Sequence, residues 1–155
     1  MQRGEWKMGP RAAALRQLRT VHAIFVLVVF MQVYVSEVAA RTGTGITPSF
    51  ISIIGVLACF ELMIANYFRS KRTIPAMEKL RLEPNDADAL KQWRAGIILT
   101  LVLVMSVALY GVVLRSLGAS RRFAWPFFVV ALIFMLMWRP QLDLNGENLE
   151  TRTRQ

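Results

Sequence analysis

The sequence predicts an all-α polytopic membrane protein, four transmembrane helices arranged as two antiparallel hairpins. Three observations carry this. The 155-residue chain is 55% apolar with a positive mean hydropathy of +0.41, too oily for a soluble domain of that length. Its apolar residues fall in long blocks instead of recurring at a steady helical or strand period. Its basic residues, which set a net charge of +9, flank those blocks. That placement points to anionic lipid and membrane topology and not to nucleic acid.

Residues 1–20 form a basic lead with Arg3, Lys7, Arg11, Arg16 and Arg19 against Glu5. Ala12, Ala13, Leu15 and Leu18 allow a short helix lying along the membrane surface, and the alternative is an irregular tail. The first span covers 21–40, about enough to cross roughly 30 Å of hydrocarbon. A basic lead, an apolar run and Val38-Ala39-Ala40 also fit a cleaved signal peptide. The polar-rich end, with Gln32, Tyr34, Ser36 and Glu37, favours a retained helix.

A short turn carrying Gly43 and Gly45 leads to Thr47-Pro48, which reads as an N-cap followed by Pro in the first helical turn. The second span covers 49–68. The hydrophilic connector 69–94 then holds a short helix between Thr73 and Leu82. Asn85 or Asp86 is placed to cap a further helix that continues past Trp93 into the third span, 95–114. The fourth span, 123–138, reaches only about 24 Å at 1.5 Å per residue and relies on snorkelling by Arg122 and Arg139. Residues 139–155 form a polar tail. The lead, connector and tail hold five, seven and three Lys/Arg, and the two turns hold one and three. The excess of positive charge on one side predicts cytoplasmic termini and a cytoplasmic connector, in a bacterial inner membrane.

Glu61 stands out because a charge within hydrocarbon costs roughly 2.5–3.5 kcal/mol even on lenient scales. It shares a helical stripe with Ile54, Ala58, Ala65 and Phe68. Two readings follow: a proton or cation site, or a carboxyl held by a hydrogen bond from a neighbouring helix, with Thr100, Ser106 or Gln32 as donor. Gln32 and Ser36 read as interhelical glue. Glu37, nearer the outer surface, is within prospective reach of Arg115, a pair that would tie the hairpins. Trp93, Trp125 and Trp138 read as interface anchors. His22 and Asn66 fall within one turn of the cytoplasmic surface and can pair. Cys59 reads as a small hydrophobe.

One Cys and one His leave no disulfide framework, haem pair or zinc cluster, so no metal or cofactor is expected. No phosphate loop or nucleophile–base motif is present, and the expected class is a non-enzyme. The expected partners are the lipid bilayer and other membrane proteins or further copies of the chain, with no nucleic acid.

Met105–Val113, MSVALYGVV, resembles the Ala-Leu-Tyr-Gly stretch of rotary ATPase proteolipid (c) subunits. In that family a carboxylate precedes the tyrosine by about five residues. Met105 holds that place here, so the resemblance implies no ion-carrying residue. The wider pattern, LEPNDADALKQWRAG followed by ALYGVVLRSLG, resembles small uncharacterised four-span bacterial membrane proteins, which implies an architecture and no activity. The function expected is a non-catalytic accessory or scaffold subunit. The alternative is an oligomeric proton or cation pathway through Glu61.

Overall fold

The computed structural model describes residues 10–38, 40, 46–83 and 86–139. Its helices are α1 (Pro10–Val38), α2 (Pro48–Phe68), α3 (Ile74–Leu82), α4 (Ala87–Ser116) and α5 (Arg121–Met137), with a π-helical turn at Arg69–Thr73 between α2 and α3. Three stretches are long and apolar enough to cross a membrane: Ala13–Val38, Pro48–Leu82 and Ala87–Ser116. At 17 residues, α5 is shorter than these.

Everything packs on α4. Its buried positions include Trp93, Ile97, Thr100, Val104, Val107, Gly111 and Leu114, alternating four and three residues apart. That is the seven-residue repeat of a helix seam that wraps its neighbours left-handedly. The same repeat lines α5, at Ala124, Phe128, Ala131, Met135 and Trp138, and α1, at Leu15, His22, Val29 and Ser36. Matching periods let long helices stay in contact over many turns. In a bilayer that contact stabilises through close packing, because lipid tails are already as apolar as Leu.

The pairing differs from the expected pair of sequential hairpins. Helix α1 rests on α4 and α5, α2 rests on α4, and no substantial α1–α2 contact exists among the described residues. The α4–α5 hairpin does form. Its turn is a Schellman motif in which Gly118 N–H reaches the Arg115 carbonyl (3.1 Å) and Ala119 N–H the Leu114 carbonyl (2.9 Å). Gly118 sits at φ 91°, a conformation that favours a residue without Cβ.

The second hairpin is formed by α2, the π-turn and α3 folding back on α4. Cross-helix partners run in antiparallel register, from Glu61 opposite Tyr110 through Thr73 against Gly96 to Lys79 beside Asp86. Within the connector, helix continues from Arg69 to Leu82 and resumes at Ala87. Pro75 explains the π-turn. In a regular α-helix its ring would strike the Lys71 carbonyl. The wider turn, closed by Ile74 N–H onto the Arg69 carbonyl five residues back, relieves that clash. At the hairpin tip Asp86 caps α4, its Oδ1 accepting from Asp88 N–H (2.9 Å) and Ala89 N–H (3.0 Å).

Residues 10–20 also depart from expectation. They are the first turns of the same helix that becomes α1, and Ala14, Leu15 and Leu18 are buried. Leu15 and Leu18 share a core with Leu80, Ala89 and Trp93, so this segment packs on protein instead of lying on a surface.

Candidate functional site

Among the described residues, two polar centres join helices away from the α3–α4 tip. The first joins Glu61, past the middle of α2, to Tyr110 in the last third of α4. Ile54, Ala58 and Ala65 are buried on the stripe that carries Glu61, so the carboxylate faces α4. There the Tyr110 hydroxyl donates to Glu61 Oε1 at 2.7 Å, a length typical of a strong O–H···O bond. Glu61 Oε2 is buried and has no hydrogen-bond partner. The donor is Tyr110, and none of the three candidates Thr100, Ser106 and Gln32. A tyrosine in a membrane helix needs a partner for its hydroxyl, which was the available signal, and only the helix register could assign it to Glu61.

The other intramembrane polar residues turn inward on their own helices. Thr100 donates to the Gly96 carbonyl (2.8 Å), Ser106 to Val102 (3.1 Å) and Ser36 to Val33 (2.7 Å). Each satisfies its hydroxyl locally, as Ser and Thr commonly do in helices. Gln32 keeps a buried Oε1 without a partner. These residues do not converge on Glu61.

The second centre gathers at the end where α4 closes and α5 begins. Glu37 Oε2 accepts from Arg115 Nη2 (3.3 Å), Arg121 Nε (2.9 Å) and Arg121 Nη2 (2.7 Å), and its Oε1 accepts from Trp125 Nε1 (3.2 Å). Arg115 also donates through Nη1 to the Ala119 carbonyl at 3.0 Å. One carboxylate thus ties the ends of α1, α4 and α5. The sequence offers Arg115 as its partner. Arg121 and Trp125 are additional, and their spacing of four puts them on one face of α5. With two guanidiniums committed to one carboxylate, the arrangement reads chemically as a clamp.

The tryptophans separate. Trp125 is exposed and bonded to Glu37. Trp93 is 1% exposed and Trp138 9%, so both pack against protein and neither is presented to a bilayer interface. Trp138 stacks edge-on with Phe134 at 4.8 Å, and the Arg69 guanidinium lies 5.4 Å above its ring. His22 is buried with Nδ1 unpartnered, Asn66 is exposed, and no hydrogen bond joins them. Cys59 is an exposed thiol on an apolar slot of about 250 Å³ between α2, α4 and α5. Among the described residues no three His, Cys, Asp or Glu side chains gather as a metal would require.

No protein-family model, curated protein or solved structure matches the chain.

Proposed function

We propose that this chain is a non-catalytic accessory or scaffold subunit that packs with other membrane helices. In this reading four helices cross the bilayer of a bacterial inner membrane, with both termini and the α3–α4 tip on the cytoplasmic side. Arg121 and Arg122 at one end of α5 and Arg139 beyond the other let its roughly 25 Å reach by snorkelling. Consecutive crossings run antiparallel, with α1 and α2 meeting through α4 and not directly. The placement of basic residues supports the orientation.

The observation that carries the reading is the way α1 and α2 sit. Each uses one stripe on the α4–α5 core and leaves the rest of a long apolar surface uncovered, including Phe30 and Tyr34 on α1 and Phe60 and Met63 on α2. Helices of that kind bury their free faces in lipid or against another protein. The test is a photo-crosslinking side chain at Phe30 or Phe60 in the native membrane. One discrete product with a different membrane polypeptide is expected. Products with lipid or with its own copies alone would overturn the scaffold reading.

A second reading, an oligomeric proton or cation pathway, is favoured by the unpartnered Glu61 Oε2. It requires loss of ion flux from proteoliposomes on Glu61→Gln with folding intact. Unchanged flux would remove it. The local bonding of Ser36, Thr100 and Ser106 supplies no polar line leading to Glu61, which is why this reading stands second.

A further inference from the structure

Where the π-turn meets the start of α4 there is a groove of about 610 Å³. One wall presents Lys71 and Arg72, the other presents Asp88, Lys91 and Gln92, and Ala95 closes its apolar end. Asp88, Lys91, Gln92 and Ala95 follow the i, i+3, i+4, i+7 spacing of a single face. On the opposite wall, Lys71 and Arg72 belong to the π-turn that Pro75 requires. All three cations are exposed, and none has an ion-pair partner among the described residues. Three cations therefore face one carboxylate. Asp88 lies a turn beyond Lys91, roughly 4.5 Å further along the axis.

The level of the groove decides its ligand class. Phe68 ends the apolar run of α2 and Ala95 begins that of α4, so the groove opens at the edge of the hydrocarbon. A phospholipid phosphate lies at that depth, with its acyl chains beside apolar helix and its charge beside Lys71, Arg72 and Lys91. Gln92 adds a neutral donor for a phosphate oxygen. We propose that this groove holds the phosphate of an anionic phospholipid headgroup. The assignment rests on the reading above that α2 and α4 cross a bilayer and their joined end lies outside it. Free phosphate shares the chemistry and is the other possible source.

The test uses the full chain in nanodiscs of neutral phosphatidylcholine with a minority of phosphatidylglycerol, and native mass spectrometry reads the lipid retained. Neutralising the groove with Lys71→Gln and Lys91→Gln is expected to weaken phosphatidylglycerol retention at least about a hundred-fold, from roughly 1.5–3 kcal/mol for each direct hydrogen bond to a charged group. Arg16→Gln with Arg19→Gln removes the same charge on the same side and is expected to change retention by less than about three-fold. Equal losses from both pairs would overturn the site in favour of a diffuse field. Lys71→Arg with Lys91→Arg keeps the charge and is expected to retain the lipid, and loss there would also overturn it. If the groove variant instead loses only inorganic phosphate, followed by phosphorus NMR, the lipid assignment is overturned. Release of the chain from vesicles by alkaline carbonate would overturn the membrane reading itself. That outcome is distinct from lost lipid selectivity in a chain that stays embedded.

Discussion

At Gly111 helix α4 closely approaches α5, and Gly111→Ala tests whether that approach holds the fold. A Cβ there would lie 2.8 Å from Phe128 Cζ, 2.9 Å from Phe128 Cε2 and 3.0 Å from the Ala124 carbonyl oxygen. Phe128 is 2% exposed and Ala124 fully buried, so the ring has little room to swing, and the carbonyl belongs to the α5 backbone. Overpacking of this kind costs about 1–3 kcal/mol. Replacing a helical Gly by Ala returns up to about 1 kcal/mol of chain entropy, so the raw change mixes two effects. Gly55 separates them, because a Cβ there meets nothing within 4 Å. Gly55→Ala collects the entropy gain alone, so the difference between the two variants isolates the packing penalty, about 1–3 kcal/mol against Gly111→Ala. The assay is reversible unfolding in mixed micelles followed by helical circular dichroism. Adding Phe128→Leu to Gly111→Ala is expected to recover the part due to the ring and leave the part due to the carbonyl. Equal stabilities for Gly111→Ala and Gly55→Ala would refute the close α4–α5 contact.

Three further outcomes are expected. A Cβ at Gly96 would overlap the Thr73 hydroxyl, which is itself buried without a partner, so Gly96→Ala destabilises and Thr73→Ala rescues it. A double-mutant cycle should give a coupling of at least about 1 kcal/mol, and additive changes would contradict the contact. The Lys79 hydrogen bond, with backbone N–H groups from Ala89 and Asp88, holds the Asp86 carboxyl below the usual carboxylate range. A carboxylate lowered on folding contributes stability that is present above its unfolded pKa, about 4, and fades as pH falls through the lower folded value. Wild-type melting temperature should therefore drop in that acid window while Asp86→Asn stays flatter, and parallel curves would remove the cap from the account. Tyr110→Phe removes the one donor to Glu61 among the described residues and strands its oxygen, so it should destabilise by about 1–3 kcal/mol. Adding Glu61→Leu should recover most of that loss, and failure to recover would break the Glu61–Tyr110 link.

Much of the helical outline is readable in the residues themselves. Nearly all of each apolar run falls within α1, α2, α4 or α5, and Asp86, one of two caps the sequence offers, is the cap. Rotation about each helix axis is not readable, since it depends on the neighbour. Trp93 sits at the depth expected of an interface anchor, yet the seven-residue seam of α4 turns it into the core. Ser36, Thr100 and Ser106 carry the chemistry of interhelical glue, but a hydroxyl that can reach its own helix carbonyl does so without waiting for a partner. Hairpin order misleads for a similar reason. Short turns favour neighbours in sequence, whereas α4 presents buried positions along most of its length, and α1 and α2 each pack on that helix instead of on one another. The Glu37 clamp was half legible, because Arg115 could be matched to it by depth while Arg121 and Trp125 needed the Gly118 turn to bring α5 into place.

The proposed role of this chain is to pack with other membrane helices. Its most direct test is native mass spectrometry of the intact protein, extracted from its own membrane in mild detergent. The expected result is a stoichiometric complex that contains a different membrane protein and survives Glu61→Gln. A chain found only alone or only with its own copies would contradict it.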